Sequence, residues 1–516
     1  MSASNGNSWQ KPVAGLAPNT PDYENLPLIK PTGFREYDAR WLHFGTDAKG
    51  NPVSEINLPG VRLLGLGLGT LLHELGVKPH VVVGHDYRSY SQSIKQALIA
   101  GLMAAGCTVH DIGLALSPTA YFAQFALDVP GVAMVTASHN DNGWTGVKMG
   151  AHPPLTFGPE EMERLKDIVL NGKVKTRAGG ALVPHPEVAG LYVEDLIRRG
   201  GRLERKLKVV CACGNGTAGL FAPKVLRAMG CEVIELHCTP DYTFPHYNPN
   251  PEAMEMLHDM AEAVKRHGAD LALGFDGDGD RCGVVDNEGR EIFADKIGVL
   301  IARDLARRHP GARFVADVKS TGLFMTDPVL QELGARTDYY KTGHSYIKRR
   351  TTELEALAGF EKSGHFFFRP PVGLGYDDGI VSAIAVLHML DANADKSLAD
   401  LYRELPATHA TPTMAPYCAD EVKYDVVARV TEHYRRRMER GEQVAGLRIA
   451  DINTVNGVRF TLEDGSWGLV RASSNKPELV VVCESPVSEE RMRAVFADIR
   501  ALLDGMEEVG DYNQVI

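Results

Sequence analysis

Residues 208–219 read KVVCACGNGTAG, and residues 228–237, after an intervening helical stretch, read AMGCEVIELH. A β-branched run, a glycine-rich turn, a helix ending near glycine and a second apolar run form the βαβ unit of a parallel sheet. The same order recurs twice. HVVVGHDYRS at 80–89 leads to AAGCTVHDIG at 104–113, and RFVADVKSTG at 313–322 leads to ELGARTDYYKTG at 332–343. Three copies of one unit predict three α/β domains of shared topology. Each copy then adds a third apolar run that breaks into a polar loop: GVAMVTASHN at 131–140, ADLALGFDGDGDR at 269–281 and LAGFEKSGHFFF at 357–368. Ligands of such sheets sit at the carboxyl ends of strands, so the three loops are expected to face one cleft.

The repeat stops near residue 405. EVKYDVVARVTEHYRRRMERG at 421–441 reads as a helix, GVRFTLEDGSWGLVRASSNKPELVVVCES at 457–485 as antiparallel strands, and SEERMRAVFADIRALLDG at 488–505 as a closing helix, which together predict a smaller α+β domain. The expected division is a flexible N-terminal extension at 1–32, then domains at 33–180, 181–290, 291–404 and 405–516.

Bulk properties bound the function. The 516 residues are 44% hydrophobic and 23% charged, the composition of a soluble globular protein. A formal net charge of -11 argues against nucleic-acid and anionic-membrane partners while allowing a small anion in a focused site. The eight cysteines include a CxC at Cys211 and Cys213 but no CxxC pair, and read as buried free thiols of a reducing cytoplasm. The N-terminus lacks the apolar core of a signal peptide, and no apolar run approaches the ~18 residues of a membrane span. A cytoplasmic enzyme is expected.

DGDGDR at 276–281 carries the strongest chemistry. Alternate positions of an extended segment point to one side, so Asp276, Asp278 and Asp280 are expected to converge on a hard cation such as Mg²⁺. An EF-hand loop is excluded, because Arg281 and Asn287 stand where it needs Gly and Glu. The DxDxT opening of haloacid-dehalogenase-type phosphatases is not matched either. TASHN at 136–140 reads as a polar turn whose adjacent side chains, Ser138 and His139, are expected to point apart. RASSNKP at 471–477 joins an arginine to two hydroxyls, an amide and a lysine, a set able to grip phosphate. EKSGH at 361–365 offers a carboxylate, a hydroxyl and an imidazole for reading sugar hydroxyls. GLGLGT at 65–70 lacks the third glycine of a dinucleotide fingerprint and reads as helix packing.

With the auxiliary stretches FREYDAR, GNGTAG, KTGHS, GYDDGI and WGLVRAS, the four loops TASHN, DGDGDR, EKSGH and RASSNKP arrive in the order of the α-D-phosphohexomutase family, whose bacterial phosphomannomutase/phosphoglucomutase branch the chain resembles from about residue 33 to 510. The resemblance implies three α/β phosphohexomutase domains with mixed sheets and a TATA-box-binding-protein-like α+β domain. It also implies interconversion of hexose 1- and 6-phosphates through phosphorylated Ser138 and a bound hexose 1,6-bisphosphate. In that reading Ser138, Asp276, Asp278 and Asp280 hold one Mg²⁺, and Arg281 and Lys148 offset charge. Lys148 or His365 is the general acid/base, assisted by His139 and Arg40. Glu361 and Ser363 bind sugar hydroxyls, while Arg471, Ser473, Ser474 and Asn475 bind the idle phosphate. Tyr37, Lys341 and His344 line the cleft. The implied partners are small sugar phosphates, and the implied state is a monomer or weak homo-oligomer. Trp41 and His85 depart from the family pattern, where Gly and Arg are usual, leaving Arg88 as the basic residue of its motif. The alternatives are a phosphoglucosamine mutase, a metal-dependent sugar phosphatase and a noncatalytic sugar-phosphate binder.

Overall fold

The computed structural model describes residues 11–474 and 476–514. The chain divides into two compact units, one formed by residues 1–292 with 364–395 and the other by 293–363 with 396–516.

The first unit holds two of the repeats. Strand Gly131–Val135 runs parallel to His80–His85, which pairs in parallel with Thr108–Leu114, and that strand pairs with Ala181–Pro184. On the other side Gly131–Val135 pairs antiparallel with Trp144–Gly150, which pairs antiparallel with Ala39–Leu42. The second sheet repeats the plan. Lys208–Ala212 lies parallel between Glu232–Leu236 and Leu271–Phe275, and Leu271–Phe275 turns back antiparallel into Cys282–Asp286. Each sheet is therefore mixed, with the antiparallel hairpin directly following the strand that ends in a polar loop.

GLGLGT lies within helix Leu58–Glu74. A Cβ at Gly65 would stand 2.3 Å from the Leu98 carbonyl oxygen, and one at Gly101 would stand 2.0 Å from that of Arg62. The glycines thus bring two helix backbones, Leu58–Glu74 and Ser91–Ala104, into direct contact over the core of Leu64, Leu68, Leu98 and Val83.

One expected boundary moves. The N-terminal extension is packed well before residue 32. Asn57 Oδ1 accepts the amides of both Gly60 and Leu28, so the cap of the helix also ties down the preceding chain, and Ile29 enters the core. Trp41 is fully buried edge-on against Phe34 and donates its indole N–H to the Lys30 carbonyl, 2.8 Å. The family departure at this position is a packing residue. Residues 364–395 pack with the first unit. Asp378 caps helix Gly379–Asp391 and accepts the hydroxyl of Tyr192 at 2.9 Å, and the Gly379 amide donates to the Gly279 carbonyl at 3.0 Å.

In the second unit Arg313–Asp317 lies parallel between Arg336–Tyr340 and Ala358–Phe360, the third copy of the βαβ plan. The C-terminal sheet is antiparallel, with Trp467–Ala472 between Val458–Leu462 and Leu479–Ser485. Helices Lys423–Glu439 and Glu489–Asp504 pack on it through Val426, Val430, Tyr434, Val495 and Ile499. Among the described residues no helix is long and apolar enough to cross a membrane.

The helix contact sets a stability test. Gly101→Ala is expected to cost about 1–3 kcal/mol by overpacking. Gly190→Ala, in helix Val188–Gly200 with no atom near the added methyl, is expected to be neutral or stabilising by up to about 1 kcal/mol. Urea unfolding of the two variants measures the contrast.

Candidate active site

The site grows from the ends of two equivalent strands of the first unit. After Gly131–Val135 the chain turns at Ser138, whose φ of 50° lies in the left-handed region, a conformation that costs about 1–3 kcal/mol in a residue with a side chain. The surroundings hold it there. Its amide donates to Thr136 Oγ1 at 2.8 Å, and Thr136 donates in turn to Asp86 Oδ2 at 2.8 Å. Arg88 donates to the carbonyls of Ser138 (3.0 Å), Asn140 (2.7 Å) and Asp141 (3.2 Å). Arg40 adds a bond to the Ala137 carbonyl at 3.2 Å and another to the Asn140 side chain.

The left-handed turn corrects one expectation. Ser138 and His139 do not point apart: Ser138 Oγ lies 3.1 Å from His139 Nδ1. Alternation of side chains belongs to extended backbone, and this backbone is not extended. Ser138 Oγ also donates to Asp276 Oδ2 at 3.0 Å, joining the two loops.

Asp276, Asp278 and Asp280 are completely buried, and each offers an oxygen within 4.8 Å of the others'. They converge as expected but through a turn, with Gly279 at φ 73°, rather than along an extended segment. Each carboxylate meets a cationic group, and two of them share one. Arg281 Nε donates to Asp276 at 3.0 Å, while its Nη1 meets Glu252 at 3.2 Å. Asp278 Oδ2 accepts from Ser117 (2.6 Å) and from Lys148 Nζ (2.7 Å). Lys148 bonds Asp280 as well. The second oxygens of Asp278 and Asp280, and Nη2 of Arg281, have no hydrogen-bond partner among the described residues. Hard oxygen donors so crowded suit a divalent cation, and the open guanidinium nitrogen suits an anion.

The electrostatics follow from burial and pairing. Burial pushes the Asp280 carboxyl up to about 7, and the neighbouring Asp278 charge adds to it. Burial acts the same way on Asp278, yet Lys148 and the Ser117 hydroxyl outweigh it and hold that carboxyl well below its usual range. Burial disfavours the Lys148 ammonium, but the two aspartates overcome it and raise its pKa well above the usual value. Lys148 is a fixed cation here.

His365 Nδ1 lies 3.0 Å from Asp377 Oδ2 and 3.6 Å from Asp280 Oδ1. The first unit therefore gathers Ser138, His139, Arg40, Lys148, the three aspartates, Arg281 and His365, and Tyr37 is buried in the same unit.

The remaining candidates belong to the second unit. Buried Glu361 accepts the Gly343 amide at 2.6 Å and the Ser363 hydroxyl at 3.0 Å, tying the EKSGH and KTGHS loops together. His344 is buried at the start of helix His344–Glu353, and Lys341 Nζ lies 5.3 Å from the Tyr346 ring. Arg471 is buried and donates to the Ala472 carbonyl at 2.7 Å. Ser473 and Ser474 follow it, and Asn475 lies outside the described residues. Lys423 Nζ donates to the carbonyls of Ser473 (2.5 Å) and Lys476 (3.1 Å), so it shapes this loop from the neighbouring helix.

Four supporting residues escaped the sequence reading: Asp86, Ser117, Asp377 and Lys423. Asp86 stood in HDYRS beside Arg88, at the end of the first repeat's opening strand, and Asp377 in GYDDGI. Ser117 and Lys423 left no local signal, because each acts across a tertiary contact.

A repeated mixed α/β unit with a serine loop and an aspartate loop at matching strand ends defines a class of multidomain phosphoryl-transfer enzymes. Four family models match in order: the phosphoglucomutase/phosphomannomutase alpha/beta/alpha domains I (residues 42–175), II (191–289) and III (293–409), and the C-terminal domain (428–502). The chain belongs to the phosphoglucomutase/phosphomannomutase family and is a phosphohexomutase, an enzyme of the isomerase class. A phosphomannomutase/phosphoglucomutase of Pseudomonas syringae pv. tomato is 35% identical over 475 residues, 91% of this chain and 95% of its own. One of Pseudomonas putida is 36% identical over 416 residues, covering 81% of this chain and 86% of its own. The crystal structure of a phosphoglucomutase/phosphomannomutase family protein from Burkholderia thailandensis superposes with a TM-score of 0.79 at 29% identity, covering 92% of this chain and 98% of that one.

Lys148→Met removes the shared cation and leaves two buried carboxylates uncompensated, an expected loss of about 3–5 kcal/mol in chelator. Added divalent cation is expected to raise the melting temperature of this variant by more than that of wild type, which calorimetry in both conditions checks.

Proposed function

We propose that the enzyme interconverts hexose 1-phosphate and hexose 6-phosphate, with mannose and glucose as the sugars, by way of phosphorylated Ser138. The observation that carries the reading is Ser138 Oγ held 3.0 Å from Asp276 in a buried triad of carboxylates. The phosphoryl group leaves Ser138 for the free hydroxyl of the bound hexose phosphate, giving a hexose 1,6-bisphosphate. That intermediate turns over and returns its other phosphoryl group to Ser138. A Mg²⁺ held by Asp276, Asp278, Asp280 and an oxygen on Ser138 supplies charge neutralisation at the transferring group.

The chain's own groups supply the rest. Arg281 presents its open Nη2 to a phosphoryl oxygen, and Lys148 offsets the charge of the aspartate loop. His365 is the general base. Its Nδ1 is engaged by Asp377, which orients the ring, and the imidazole takes the proton of the attacking sugar hydroxyl and later returns one. Lys148 is set against that role by the two carboxylates that keep it protonated. His139 bonds the serine oxygen, and Arg40 with Arg88 keeps the serine loop in shape. Glu361 and Ser363 hold sugar hydroxyls, Lys341 and His344 assist, and Arg471, Ser473, Ser474 and Asn475 hold the idle phosphate, so that either orientation of the sugar is positioned for reaction.

Mutase assays with mannose, glucose and glucosamine phosphates, primed by a hexose 1,6-bisphosphate, test the reading. Ser138→Ala is expected to abolish turnover on every sugar, and full activity in that variant sinks the mechanism. His365→Gln is expected to lower kcat by about 10²–10⁴-fold. Chelation of divalent cations is expected to stop the reaction, and Mg²⁺ to restore it.

A further inference from the structure

A second cluster of chemical groups lies apart from the phosphoryl site. Cys211 lies in strand Lys208–Ala212 with Cys213 just beyond its end, and Cys238 follows the parallel neighbour Glu232–Leu236. The Cys213 and Cys238 sulfurs are 3.5 Å apart and those of Cys211 and Cys213 3.9 Å apart. Cys211 and Cys213 are wholly buried, whereas Cys238 retains 5% of its surface. The backbone locks the pair in place: the Cys213 amide donates to the Leu236 carbonyl at 3.1 Å and the Asn215 amide to the His237 carbonyl at 2.7 Å.

We propose that Cys213 and Cys238 form a reversible disulfide that lowers the activity of the enzyme. Cys238, the more accessible thiol, attacks a hydroperoxide as its thiolate. The O–O bond breaks, an alcohol or water leaves, and the sulfur becomes a sulfenic acid. Cys213 then attacks that sulfur, the S–S bond forms, and the hydroxyl departs with the thiol proton as water. A dithiol reductant reverses the change. The rival chemistry, three thiolates around a soft metal ion, leaves net negative charge in an apolar interior, whereas a disulfide leaves none.

The link to activity runs through four residues of chain, and this part rests on the mutase reading above. The loop leaving Cys213 reaches Thr217, whose amide donates to the carbonyl of Gly277 at 3.3 Å and whose hydroxyl accepts the Tyr87 amide at 2.9 Å. Gly277 stands between Asp276 and Asp278, and Tyr87 between Asp86 and Arg88. Drawing the sulfurs from 3.5 Å to a bond of about 2.05 Å moves the loop that touches both.

The full-length enzyme, purified reduced, is treated with hydrogen peroxide and followed by intact mass, peptide mapping and metal analysis. The expected result is loss of two hydrogens per chain, a Cys213–Cys238 cross-linked peptide, and a fall in kcat/KM of up to about 10²-fold, as for a displacement of about 1 Å at a reacting group. Dithiothreitol restores both mass and rate. Cys213→Ala is expected to keep its rate under peroxide, and Cys211→Ala to form the same cross-link as wild type. Absence of the cross-link, a different cysteine pair, or a stoichiometric metal ion on the three thiols overturns the site. A cross-link without loss of rate overturns the coupling alone. Failure of the mutase reading leaves the mass result untouched.

Discussion

Three carboxylates share one buried turn, and the first unit is arranged around the cost of that crowding. Without compensation such a cluster would expel its charge or the fold that buries it. Compensation is divided: Arg281 answers Asp276, Lys148 spans Asp278 and Asp280, and His365 approaches Asp280 from a segment some 85 residues further along the chain. The division leaves one oxygen each of Asp278 and Asp280 without a hydrogen bond among the described residues, and it is on those that a divalent cation has room to act.

The serine loop is governed by a related economy of backbone groups. A left-handed Ser138 is unfavourable by itself, and Arg88 stabilises it by collecting the carbonyls that the turn exposes. Asp86 anchors the same turn through Thr136. The strained serine and the crowded aspartates meet in one hydrogen bond, Ser138 to Asp276, so each loop constrains the other. Strain and like-charge crowding are both forms of stored free energy, and both are placed where a phosphoryl group would be handled.

Much of this was readable in the linear chain, for identifiable reasons. The βαβ repeat is a local pattern of apolar runs and turns, and the strand order follows it in all three copies. The aspartate loop is contiguous, so its composition announces its chemistry. Where the reading failed, backbone conformation or long-range packing intervened. Extended-chain alternation mispredicted the Ser138–His139 pair, because the positive φ of Ser138 brings neighbours together. The N-terminal segment was read as loose because its anchors, Asn57 and the Trp41 pocket, lie elsewhere in sequence.

The surroundings of two basic candidates show the same boundary. Lys148 and His365 were equal candidates as letters in a chain. Folding set Lys148 between two carboxylates, which keep it a cation, and set His365 against Asp377. The sequence by itself determined the repeated α/β plan, the α+β C-terminal domain and the residue types that any site would use, because periodicity and contiguous motifs are local properties. Tertiary structure alone decided which charge sits beside which, since pKa values and strained turns depend on groups that the chain brings together from a distance.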